Sequence, residues 1–155
     1  MNTAEIIDKL KIKVEEIEKM ISKIRARKAK EESAMPKTAL SVIYKNPYMH
    51  DISGRVNVLG GVIVTLDRMK RYLETGILDL EHGVTPEYVL SDLICILTDA
   101  IYGEIDNVRD KGKHCMAHRA LTTEEAEAIF FVTGATTYVT DIYKTIIPKY
   151  EKDRR

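Results

Sequence analysis

His114, Cys115 and His118 are the side chains in this sequence best matched to a metal ion. On one helical turn, positions i, i+1 and i+4 can converge, and imidazole with thiolate suits zinc. A structural zinc site takes four ligands, and no second Cys/His pair supplies the fourth. Cys95, His50 or His82 would have to be brought near by folding. The competing reading is a polar inter-helix loop that happens to contain these residues. Coupled to acids of the preceding helix, the same three residues would make a small metal-dependent hydrolase.

Two charges fall where apolar residues are expected. Glu104 lies among Ala100, Ile101, Ile105 and Val108, and Lys70 is in step with Ile63, Leu66 and Leu73. A charge facing a core must be paired, neutralised or turned out to water. The spacing predicts that Lys70 and Glu104 meet across a helix interface. The alternatives are side chains that snorkel to the edge, or a polar ligand pocket formed with the nearby tyrosines. Asp92, Asp99 and Asp106 recur every seven residues, but the paired ExxH motifs of di-iron bundles are absent. This stripe reads as a wet helix face.

Lys23, Arg25, Arg27, Lys28 and Lys30 crowd the end of the first helix, with Lys23, Arg27 and Lys30 on one side of it. The helix dipole favours cations there. Glu31 and Glu32 follow at once and no aromatic residues are interleaved, so nucleic acid is not the expected partner. Tyr44, Lys45, Tyr48 and His50 come close together around the Asn46-Pro47 break, and are expected in a loop that contacts another protein. The sequence has no P-loop, no G-x-S-x-G, no H-E-x-x-H and no dinucleotide fingerprint.

The totals bound what must position these groups. A chain of 155 residues with 45% apolar content is one globular domain with one core. Lys plus Arg and Asp plus Glu are equal at 24 each, so no net field draws it to nucleic acid or anionic lipid. The start, MNTAEIIDKL, lacks the pattern of a signal peptide, and the charge-free run Ala128 to Thr140 is too short to span a bilayer. Two cysteines make no disulfide framework. These features lead to the expectation of a soluble cytoplasmic protein without membrane contact.

The apolar periodicity is helical throughout. Residues 3–32 carry three heptads, with Ile7, Val14 and Ile21 at a and Leu10, Ile17 and Ile24 at d, after an Asn2 or Thr3 cap. That seam either builds the domain's own bundle or pairs with copies of itself. Residues 33–53 form a connector, in which Thr38 to Tyr44 could add a short helix. Residues 54–147 form the helical core, and 148–155 a loose tail.

Within the core, VNVLGGVIV reads as a β-hairpin turning at Gly60-Gly61 or as a helix with Val56, Leu59, Ile63 and Leu66 on one face. The absence of other strands favours the helix, in which glycines mark close approach of a neighbour and Gly76 is a natural stop. Val84 to Asp110 is the expected central helix, capped by Thr85, entered through Pro86 and stapled by Val84 and Val89. Gly112 should break it. Thr122 with Glu125 opens the last helix, whose seam is Ala128, Val132, Ala135, Val139, Ile142 and Ile146. Gly134 lies beside that seam and should let another helix approach, and Thr133, Thr137 and Thr140 form a second face.

The expected architecture is therefore all-α, a mostly antiparallel bundle of four to five helices with a coiled-coil-like first helix. The expected function is a non-catalytic, homo-oligomeric protein that regulates, inhibits or scaffolds another protein, with no cofactor. The alternatives are the zinc hydrolase and a small-ligand-binding helical protein.

Overall fold

Asn2 begins the first helix. Its Oδ1 accepts the Glu5 N–H at 2.9 Å and its carbonyl accepts the Ile6 N–H at 3.1 Å. In this computed structural model the described residues are 1–33, 47–115 and 123–147, with side chains described for 1–33, 56, 58–100 and 123–147. They form four α-helices: α1 (Thr3–Ser33), α2 (Pro47–Glu81), α3 (Pro86–Cys115) and α4 (Thr123–Ile146). The short helix expected over Thr38 to Tyr44 and the tail 148–155 lie outside the described residues.

α1 buries Ile6, Leu10, Val14, Ile17, Ile21 and Ile24. The seam begins at Ile6 rather than Ile7, which is only half-buried. A first step of four residues brings Ile6 into line with Leu10 and Val14, and turns Ile7 toward the edge.

α2 runs unbroken through Gly60 and Gly61, so the hairpin alternative is excluded. It also takes in Pro47 to Ser53, which the sequence assigned to the connector; proline is well suited to a first helical turn. Gly76 does not stop the helix. The stop is Gly83, whose φ of 86° is the left-handed conformation that glycine tolerates best. Around it, the Gly83 N–H bonds to the Leu80 carbonyl at 3.2 Å and the Val84 N–H to the Asp79 carbonyl at 2.9 Å. These two bonds are a Schellman cap. α3 follows at once, with the Thr85 carbonyl accepting the Val89 N–H at 3.1 Å and both Val84 and Val89 packed on the core. Gly112 does not break α3, which continues to Cys115.

Side-chain pairs give the helix directions. Lys11 meets Glu81, Glu18 meets Lys70, and Lys28 flanks Gly60, so numbering rises along α1 as it falls along α2. Arg27 meets Glu124 and Glu127 while Lys9 meets Tyr138, so α4 also runs opposite to α1. Gly76 faces Val89 and Leu93 across the α2–α3 hairpin. A β-carbon on Gly76 would lie 2.9 Å from Leu93 Cδ1 and 3.3 Å from Val89 Cγ1, so α3 packs closely on α2 at this glycine. The core is the shared interior of Leu10, Ile17, Leu66, Leu73, Leu90, Leu97 and Val132 with their neighbours. α2 packs against all three other helices, whereas α3 packs chiefly on α4 and α2. The central helix is thus α2 rather than α3. No helix among the described residues is long and apolar enough to cross a membrane.

Candidate interaction surface

α4 has no charged residue from Ala128 to Thr140. Its inward face needs only part of that run. Ala128, Val132, Ala135, Val139 and Ile142 are buried. Phe131 and Tyr138 turn toward α1, where the Lys13 ammonium lies 5.8 Å and 4.6 Å from their ring centroids. Lys13 also reaches Glu16 at 2.6 Å. The Tyr138 hydroxyl donates to the Lys9 carbonyl at 3.0 Å, and partial burial, then the Glu16 charge, push its pKa above the usual phenol value. Arg27 completes the clamp with Glu124 at 3.5 Å and Glu127 at 3.3 Å.

What remains is the outer face of α4: Phe130, Thr133, Gly134 and Thr137, all exposed. Phe130 is 77% exposed, the highest value of any large hydrophobic side chain among the described residues. Thr133 donates its hydroxyl to the Ile129 carbonyl at 2.8 Å and Thr137 to the Thr133 carbonyl at 3.1 Å. With their hydroxyls bonded to their own helix, these threonines need no outside hydrogen-bond partner. A β-carbon on Gly134 would meet nothing within 4 Å. Among the described residues, the close helix approach expected at Gly134 is therefore not made. The face is uncharged and aromatic, with a bare backbone at its middle.

The residues singled out from the sequence are placed as follows. Leu10, Val14, Ile17, Ile21 and Ile24 lie inside the chain's own core, no more than 8% exposed, so copies could pair through them only if the bundle opened. Among the described residues, the partners of Lys70 are Glu18 of α1 at 3.3 Å and Glu74 at 3.6 Å, and the hydrogen bond to Glu18, with the two carboxylate charges, raises its pKa. The α2–α3 register that sets Gly76 against Val89 and Leu93 brings Leu97, not residue 104, level with Lys70. The Glu104 side chain lies outside the described residues.

Arg27 and Lys28 of the basic cluster are engaged, Arg27 by α4 and Lys28 by Glu32, with the Lys28 stem 3.6 Å from the β-carbon position of Gly60. Asp92 and Asp99 are exposed on α3, a wet face as expected. Tyr48 and His50 stand in the first turn of α2 rather than in a loop, with side chains outside the described residues, as Tyr44 and Lys45 are altogether. His114 and Cys115 share the last turn of α3; their side chains, and all of His118, lie outside the described residues. Two clefts of about 410 and 390 Å³ flank the C-terminal part of α1, one reaching Arg27 and Thr123, the other Lys28 and Gly60. Neither includes Lys70, so neither is the polar pocket expected there.

The sequence reading did not single out Phe130. The available signal was arithmetical: between Ala128 and Thr140, α4 has more apolar residues than one buried stripe can take. Compared with known proteins, the chain matches no family model, no curated protein and no solved structure.

Proposed function

We propose that the chain is a non-catalytic helical interaction protein that works as a homo-oligomer, regulating or scaffolding another protein by assembly or occlusion. One observation carries this reading: the uncharged outer face of α4, with Phe130 largely in solvent. Scattered exposed hydrophobics are ordinary and need no explanation. This face differs because α4 carries no charge from Ala128 to Thr140, between Glu127 and Asp141, whereas 31% of the chain is charged. Interface cores are depleted of charge and enriched in aromatics in the same way.

The α1 heptads contribute by holding the bundle rigid rather than by joining copies. Contact with a different protein is assigned to the stretch holding Tyr44, Lys45, Tyr48 and His50, on its composition alone. Two cysteines, of which Cys95 is exposed as a free thiol, fit a reducing compartment such as the cytoplasm. Light scattering across a dilution series tests the proposal. A multiple of 17.7 kDa that falls on dilution is the expected result; a constant 17.7 kDa mass up to millimolar protein would reject it.

A further inference from the structure

We infer that copies of the chain join head to tail, with the cationic outer face of α1 on one copy against the acidic outer face of α3 on the next. This rests on the oligomeric reading above and adds to it a surface held by charge.

The chain as a whole is balanced, with Lys plus Arg and Asp plus Glu at 24 each, but its helices are not. From Lys19 to Lys30, α1 has six lysines and arginines and no acid. Arg27 is drawn to α4 and Lys28 to Glu32. Lys19, Lys23, Arg25 and Lys30 are exposed, with no ion-pair partner among the described residues. From Val84 to Val108 there are five acids and no lysine or arginine. Of these acids, Glu87, Asp92 and Asp99 are exposed on α3, again with no ion-pair partner among the described residues. α1 packs on α2 and α4, and α3 packs on α4 and α2, so α1 and α3 occupy opposite corners of the bundle. One molecule cannot bring its two charged faces together, whereas two molecules can.

The spacing matches as well as the sign. Lys23 and Lys30 are seven residues apart, as are Asp92 and Asp99, so each pair lies two turns, about 10 Å, apart on one face. If α1 runs parallel to a neighbour's α3 with Lys23 level with Asp92, Lys30 comes level with Asp99. Ala26 comes level with Cys95, a small residue beside a small residue. Lys19 comes level with Tyr88, whose ring is 67% exposed and can take a cation on its face. Glu15 and Glu16 come level with Val84 and Thr85, at the N-terminal end of α3, where the helix dipole favours carboxylates. Antiparallel packing with Lys23 level with Asp99 would instead bring Glu16 level with Asp106. A two-fold pairing of either face with itself would set like charge against like. The contact is therefore heterologous, and a row of copies can grow from either end. A foreign partner would have to supply an acidic helix of the same spacing; a second copy already has one.

Salt and mixing test this. Exposed ion pairs are screened at high ionic strength, so the light-scattering mass of wild type should be about twofold larger or more at about 20 mM than at about 500 mM salt. Lys23→Gln with Lys30→Gln removes one face, and Asp92→Asn with Asp99→Asn removes the other. All four positions are exposed, and helical circular dichroism checks that both variants fold. Each double variant alone should have the same mass at both salts. Their equimolar mixture should regain a salt-sensitive complex with one of each, because the first variant keeps the α3 face and the second keeps the α1 face.

A salt-independent wild-type mass above 17.7 kDa, variants that still respond to salt as wild type does, or a mixture that forms no complex overturns the inference and leaves the oligomeric function standing. If the wild-type mass ignores salt but the protein binds polyglutamate through Lys23 and Lys30, the α1 face takes a foreign acid and the inference is again overturned. A mass of 17.7 kDa at both salts and up to millimolar protein overturns both.

Discussion

Along α1, six apolar residues at helical spacing all end inside the chain's own core, whereas α4 carries its inward stripe and then Phe130 besides. The two helices have similar periodic signals but opposite surroundings. α1 is wedged between α2 on one side and α4 on the other, with its outward positions mostly Glu and Lys. α4 has an outer face with no charge over the same stretch. Periodicity reports that a face is buried; only the neighbours decide whether the burial is within one molecule. The more regular of the two patterns proved to be the internal one.

The comparison can be broken at single residues. Ile17 is fully buried, so Ile17→Ala should cost roughly 2–5 kcal/mol in urea unfolding, through lost contacts and a cavity. Phe130→Ala, removing a larger side chain, should leave the stability of the dissociated chain within about 0.5 kcal/mol and act only on the oligomeric mass. If Ile17→Ala gave a stable, fully folded monomer instead, the α1 seam would be an interface between copies after all.

The glycines sharpen the contrast. Gly76→Ala should destabilise by about 1 kcal/mol, because overpacking against Leu93 and Val89 outweighs the helix propensity that alanine adds. Gly134→Ala, with no atom near its new methyl, should raise the monomer's stability by about 1 kcal/mol. Thermal melts of dilute protein compare the two; equal signs would mean that α2 and α3 are not in close contact at Gly76.

The smallest effect is in alkali. Lys70 and Tyr138 both have pKa values raised in the folded chain, Lys70 mainly by its bond to Glu18 and Tyr138 mainly by burial. A raised folded pKa contributes stability that is complete below the unfolded value and lost as pH climbs through the folded one. The unfolded values are 10.5 and 10.0, so stability should be flat in these two groups from pH 7 to about 9.5 and decline above pH 10. Tyr138→Phe should make that decline shallower in a pH series of urea midpoints.

Much of the fold could be read from residue types. The Asn2 cap, the Val84–Val89 staple and the inward stripe of α4 each depend on local chemistry, and each is found in place. The misreadings share a different character. Gly76 and Gly83 both resemble a helix stop. Ile77 and Leu80 continue the apolar spacing past Gly76, whereas Thr85 and Pro86 open a new helix just after Gly83. The close contact of Gly76 with Leu93 and Val89 depends on folding. The phase of Lys70 on α2 gives a direction but not the helix that lies there, and the acid found beside it is Glu18 of α1. The outer face of α4 was partly legible, since Thr133 and Thr137 stand out as a second face, but that Phe130 projects from it depends on how far α1 and α3 wrap around α4.

The tight cap at Gly83 has a kinetic corollary. It leaves four residues between α2 and α3, while Arg27 and Glu124 are 97 residues apart and Lys9 and Tyr138 are 129 apart. Closing a span near 100 residues rather than one of four costs about 3 kcal/mol more in chain entropy. The α2–α3 hairpin should therefore assemble early and the N- and C-terminal helices zip together last. Substituting Lys13 would then quicken unfolding while hardly slowing refolding, so that the aromatic clasp on that lysine sets how long the finished molecule lasts rather than how fast it forms.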